Sequence, residues 1–79
     1  MKFTFIVEKE GSTLVEQFDG DDVQQATLRW FRYSESGAGE PREGDSPSPV
    51  NEVSNVWCTS GIDPNGTFFL VTIVATQTS

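Results

Sequence analysis

One segment limits the folds open to this chain. From Asp21 to about Ser36, DDVQQATLRWFRYSES, apolar residues recur at helical spacing, whereas every other apolar stretch alternates as a strand does. At about 100° per residue, Val23, Ala26, Thr27, Trp30, Phe31 and Tyr33 share one broad face, with Gln25, Arg29, Arg32 and Ser36 opposite. Asp21 is the expected N-cap, its carboxylate accepting a first-turn N–H, and Gln24 three residues on completes a capping-box pattern. Asp21 and Asp22 at the start and Arg29 and Arg32 in the second half suit the helix dipole, and Gly37 supplies a stop. Leu28 is the misfit, projecting between Gln24, Arg32 and Glu35; a single exposed leucine needs no functional explanation.

The remaining apolar runs read as two hairpins. Residues 3–8 (FTFIVE) and 13–18 (TLVEQF) flank a turn at Glu10-Gly11. A two-residue turn there sets Val7 against Leu14, Phe5 against Glu16 and Phe3 against Phe18 on the face meeting the helix. Ile6 with Val15 and Thr4 with Gln17 lie on the other face. The second strand then leads through Asp19-Gly20 directly into the helix. Residues 56–62 (VWCTSGI) and 67–76 (TFFLVTIVAT) form the second hairpin across Asp63-Pro64-Asn65-Gly66, with Pro at the second position of a type I turn and Gly66 at positive φ. Pairing Asp63 with Thr67 sets Trp57 against Ile73, Thr59 against Val71 and Gly61 against Phe69. Val56 with Val74, Cys58 with Thr72, Ser60 with Leu70 and Ile62 with Phe68 occupy the opposite face. The last strand is apolar on both faces and therefore belongs inside the sheet.

Between helix and second hairpin lies SGAGEPREGDSPSPVNEVSN, rich in Gly, Pro, Ser and Glu. Its few apolar side chains predict a flexible surface loop over 37–55 in an otherwise single domain spanning 1–79. The pairs Ser46-Pro47 and Ser48-Pro49 read as an extended connector, with modification in a suitable host as the alternative. The predicted fold is α+β, ββαββ: one four-stranded sheet in the order 2-1-4-3 with a single helix packed on one face.

One helix covers one face of such a sheet. The other carries Ile6, Val15, Val56, Cys58, Ile62, Phe68, Leu70 and Val74, a larger apolar patch than a monomer usually leaves bare. A homodimer packed sheet on sheet is the expectation, with a different protein partner as the alternative. The 37–55 segment is too polar to serve as a lid.

Composition narrows the function classes. Seventy-nine residues approach the lower limit for one self-sufficient core, so covering the patch also helps stability. With twelve acidic residues against five cations (Lys2, Lys9, Arg29, Arg32, Arg42), the net charge is −7, and no basic stripe is available for a nucleic-acid partner. There is no histidine, and one cysteine forms no internal disulfide. No apolar run has the length of a membrane span, and Met1 leads straight into a strand pattern; a cytoplasmic protein without membrane contact is expected.

Candidate chemistry is sparse. Cys58 has no histidine to activate it and reads as a small hydrophobe in a strand. Glu16 falls among apolar neighbours, so a partner such as an arginine reaches it or it lies beyond the helix edge; a catalytic carboxylate of raised pKa is the sharper alternative. Asp19, Asp21 and Asp22 lack the spacing of a calcium loop and read as capping residues. Trp30 and Trp57 are expected to meet across the helix–sheet interface. Asn65-Gly66-Thr67 matches a glycosylation acceptor that matters only on a secretory route. No phosphate loop, metal spacing or triad pattern is present in the sequence, and no cofactor and no enzymatic activity are expected.

The pattern MKF-F-VE-G-T-L-EQF, the helix with Ala26 and Trp30, and the later Asn55-Val56-Trp57-Cys58 resemble a set of small bacterial proteins of no established function. The opening MKF strand, hairpin and alanine-bearing helix are also similar to the HicB-type antitoxin domain. That family has a further strand before its helix, where this chain runs from Phe18 directly to Asp21. This second resemblance implies binding and neutralising a small toxin, often as an oligomer. The expectation is a non-enzymatic protein–protein interaction module that self-associates through the open sheet face. The alternative is an acidic inhibitor presenting Glu40, Glu43, Asp45 and Glu52 to a basic partner.

Overall fold

Two tight turns fix the register of the two hairpins. Glu10 and Gly11 both adopt positive φ, 52° and 78°, the signature of a type I′ hairpin turn. At the second turn the Gly66 N–H donates to the Asp63 carbonyl at 2.9 Å, and the Asp63 N–H donates to the Thr67 carbonyl at 2.9 Å. Gly66 takes a φ of 85°, as the Asp-Pro-Asn-Gly pattern requires.

The computed structural model describes residues 1–34, 46–50 and 52–77. Its elements are β1 (Lys2–Lys9), β2 (Ser12–Asp19), α1 (Val23–Tyr33), β3 (Ser48–Pro49), β4 (Val56–Ile62) and β5 (Phe68–Gln77). They form one antiparallel sheet in the order β2-β1-β5-β4-β3. Both hairpins have the expected register, from Lys9 opposite Ser12 to Phe3 opposite Phe18, and from Ile62 opposite Phe68 to Val56 opposite Val74.

Among the described residues the α+β class, the antiparallel sheet and the single helix hold, but the strand count and element order are corrected. The sheet has five strands rather than four, in the order ββαβββ rather than ββαββ. The extra strand comes from the segment expected to be a loop: Ser48 pairs with Cys58 and Pro49 with Trp57. Proline already holds an extended φ and lacks a ladder donor, which suits it to an edge strand. The Val50 N–H then bonds the Val56 carbonyl at 3.0 Å, and Val53 donates to Val50 at 3.3 Å. Pro47 is buried. Of the expected loop residues, 37–45 and 51 lie outside those described.

The helix starts and stops differently from expectation. Asp22, not Asp21, is the N-cap: its Oδ1 accepts the Gln25 N–H at 2.9 Å, while the Gln25 Oε1 accepts the Asp21 N–H at 2.6 Å. The capping signature is therefore shifted by one residue. The helix ends at Tyr33, because Ser34 turns to extended backbone while its N–H still donates to the Trp30 carbonyl at 3.1 Å. Tyr33, assigned by periodicity to the apolar face, is 74% exposed.

The core lies between α1 and the two central strands. Phe3, Phe5 and Val7 of β1 and Phe69, Val71 and Ile73 of β5 are buried against Ala26, Trp30 and Phe31. Trp30 stacks on Phe5 with ring centroids 6.0 Å apart and contacts Phe31 at 5.1 Å and Phe69 at 5.5 Å. Trp57, expected to meet Trp30, instead contacts Phe3 edge-on at 6.0 Å. Gly20 links β2 to α1: it is buried, its N–H donates to the Met1 carbonyl at 3.0 Å, and a Cβ there would lie 2.7 Å from the Ala26 nitrogen. Only glycine permits so close an approach of the two backbones.

Candidate functional site

Side chains alternate across a strand, so the residues between those of the core all point away from α1. Register places Val15, Ile6, Thr72 and Cys58 in one row across the outer face. Gln17, Thr4, Val74 and Val56 form the row on one side; Thr13, Glu8, Leu70 and Ser60 form the row on the other; Phe68 and Ile62 lie beyond. All eight residues expected on this face are there. Val15 (60% exposed), Phe68 (61%), Ile62 (51%) and Leu70 (39%) are the open ones, and Ile6, Val56, Cys58 and Val74 are half-buried.

The face is not uniformly apolar. The Gln17 Nε2 donates to Thr4 Oγ1 at 3.1 Å, Thr4 Oγ1 donates to Thr76 Oγ1 at 2.8 Å, and Thr76 Oγ1 donates to the Lys2 carbonyl at 3.4 Å. This ladder of side-chain hydrogen bonds spans β2, β1 and β5 at the end of the face nearest Lys2. It satisfies polar groups that would otherwise oppose an apolar partner, and leaves Phe68, Leu70, Ile62 and Val15 as the exposed apolar side chains. Sequence reasoning paired Thr4 with Gln17 but missed Thr76, because the ladder forms only where β1 lies beside β5. Beside Phe68 and Leu70 the surface dips into a groove of about 310 Å³ bounded by Glu8, Glu10, Ser12 and Thr13 of the first hairpin.

The other candidate residues lie apart from one another. Glu16 is half-buried on the helix side and accepts a hydrogen bond from the Ser34 Oγ, a hydroxyl at the end of α1. Cys58 is on the opposite face beside Thr72. Asp22 caps the helix, and no group of three potential metal ligands occurs among the described residues. Glu40, Glu43 and Asp45 lie outside the described residues; Glu52 is exposed at a φ of 64°.

A second polar cluster joins the two turns. Asp63 is buried, its Oδ1 accepts the Asn65 and Thr67 N–H groups at 2.9 Å each, and its Oδ2 pairs with the Lys9 ammonium. The hydrogen bond from Lys9 is the largest influence holding the Asp63 carboxyl below its ordinary pKa. The Thr67 N–H follows, partly opposed by desolvation, and the Asn65 N–H and the Lys9 charge add to the lowering. Nearby, the Thr67 Oγ1 donates to a Glu10 carboxylate oxygen at 3.2 Å. These contacts organise turns; none leaves an acid and a base facing a common cavity. No helix among the described residues is long and apolar enough to cross a membrane.

No protein family, curated protein or solved structure matches this chain.

Proposed function

We propose that this chain is a non-enzymatic protein–protein interaction module that associates with a second copy of itself through the outer face of the sheet. The observation that carries this reading is the exposure of Val15, Ile62, Phe68 and Leu70 on one face that α1 does not cover. The β-branched residues Ile6, Val15, Thr72 and Val74 make the surface between them shallow, which suits sheet-on-sheet packing. Every 100 Å² of apolar surface removed from water contributes roughly 2.5 kcal/mol, a large share of the stability of a domain this small. Leu70→Glu tests the interface, because it places a charge between Glu8 and Ser60 without touching the core. The expected result is a halved molecular mass in sedimentation with unchanged secondary structure; an unchanged mass sinks the reading.

A second reading, an acidic inhibitor or antitoxin-like protein that binds a basic partner, rests on the net charge of −7 and the exposed Glu52. Salt separates the two. Binding carried by charge weakens steeply between low and high ionic strength, whereas apolar self-association does not.

A further inference from the structure

The two edges of the sheet are finished differently. On the β4 side, β3 covers the first part of the edge, Val56 to Cys58, and brings Pro49 to the outside, with buried Pro47 beside it. On the other side, β2 runs eight residues, STLVEQFD, paired with β1 without a bulge and carrying neither lysine nor proline. Bulges, lysine and proline are common devices by which sheet edges avoid pairing; β2 lacks all three, and its charges are Glu16 on the helix side and Asp19 at its end.

The directions of its backbone groups follow from the two-residue turn. Lys9 and Ser12 form the hydrogen-bonded closing pair, so Ser12, Leu14, Glu16 and Phe18 direct N–H and C=O toward β1. Two contacts agree with this phase. Gly20, next in the same series, donates to the Met1 carbonyl at 3.0 Å. Asp19, in the alternate series, has its carbonyl turned outward, where the Arg29 guanidinium donates to it at 3.0 Å. Thr13, Val15 and Gln17 therefore present their backbone groups outward along the edge.

We infer that β2 pairs with β2 of a second copy, antiparallel about a two-fold axis at Val15, to make one continuous sheet across two protomers. Only outward-facing residues can serve as hydrogen-bonded partners, which leaves symmetric registers centred on Thr13, Leu14, Val15, Glu16 or Gln17. The Leu14 centre runs Gln17 onto the Gly11 turn, and the Glu16 centre sets Glu16 against Glu16 and Thr13 against Asp19. The Gln17 centre sets Val15 opposite Asp19, whose carbonyl Arg29 already occupies. The Thr13 centre sets Val15 against the Gly11 turn and leaves Gln17 unpaired. The Val15 centre uses all three residues: Val15 meets Val15 of the second copy, and Thr13 meets Gln17 on each side. It also sets Glu16 opposite Leu14, 43% exposed, so no carboxylate directly faces another. This contact is separate from the outer-face association proposed above, and each can exist without the other.

The test combines two variants and one exchange measurement on the full chain. Thr13→Pro removes an outward N–H that bonds nothing among the described residues, at a position where an edge strand tolerates proline. If both contacts form, the wild-type protein exceeds a dimer, Thr13→Pro and Leu70→Glu each leave a dimer, and the double variant is a monomer. The Val15 amide should also exchange at least about tenfold more slowly as protein concentration rises, while in the monomer it exchanges freely beside protected Leu14 and Glu16. An unchanged mass for Thr13→Pro, with a Val15 amide that exchanges fast at every concentration, overturns the edge pairing and leaves the face reading standing. Concentration-dependent protection of Val15 together with insensitivity to Leu70→Glu does the reverse. If Thr13→Pro fails to fold, amide exchange on the wild-type chain decides alone.

Discussion

Lys9 closes the first hairpin and Asp63 opens the second turn, and their side chains form an ion pair that ties the hairpins together at one end of the sheet. Asp63 is the more committed partner, since its other oxygen accepts two backbone N–H groups of its own turn.

That arrangement makes stability depend on acid in a defined direction. The Asp63 carboxyl titrates below its ordinary value of 3.8 in the folded chain, so in that range the unfolded chain takes up the proton first. The stabilisation is complete above 3.8 and is lost as pH falls from there through the lower folded value. Asp63→Asn should lower the melting temperature at neutral pH and flatten the acid limb of a melting-temperature profile taken from pH 6 downward. An acid limb as steep as the wild type's would show that other carboxylates control it.

Gly20 should not tolerate a side chain. The 2.7 Å approach to the Ala26 nitrogen involves backbone on both sides, so relief requires moving the start of α1 against β2. Gly20→Ala is expected to cost about 1–3 kcal/mol in urea unfolding, the range for overpacking a tight site. A cost near zero would mean that the β2–α1 junction yields more easily than the 2.7 Å approach implies.

Trp30 anchors the core yet carries a buried indole N–H without a hydrogen-bond partner among the described residues, as does the Thr27 hydroxyl one helical turn earlier. Trp30→Ala should cost about 3–5 kcal/mol, enough to unfold a domain of this size. Trp30→Phe should cost much less, about 1–2 kcal/mol, because loss of ring volume is offset by removing the unpaired donor. Equal losses for the two variants in chemical denaturation would show that the N–H finds a partner.

Glu10 sits in left-handed conformation at the first position of the type I′ turn, where asparagine is favoured. Glu10→Asn should raise stability by up to about 1 kcal/mol, less whatever the exposed hydrogen bond from Thr67 supplies. A fall in melting temperature would show that the Thr67 contact outweighs the backbone strain.

The hairpins were legible in the sequence because local chemistry pins them. Glu10-Gly11 and Asp63-Pro64-Asn65-Gly66 admit few turn geometries, and strict alternation then fixes every cross-strand partner. The helix was legible in its core face but not at its ends. The doublets Asp21-Asp22 and Gln24-Gln25 satisfy the capping pattern at two offsets, and periodicity does not register that Ser34 leaves the helix after Tyr33. The strand at Ser48–Pro49 left no trace, since two residues have no period and their partners lie on another strand. The eight residues of the outer face were placed correctly by alternation, but the ladder through Gln17, Thr4 and Thr76 depends on β1 lying beside β5, which no local signal encodes.

The position of β5 has a kinetic consequence. The first described strand of the chain has as its inner neighbour the last, and the hydroxyls of Thr4 and Thr76 touch across 72 positions of sequence. The N-terminal hairpin and α1 thus emerge from the ribosome with an incomplete core, since three of the nine buried core side chains arrive only with Phe69, Val71 and Ile73. Folding waits on one long-range closure, which favours millisecond or slower collapse over the microsecond regime of helical domains of equal size.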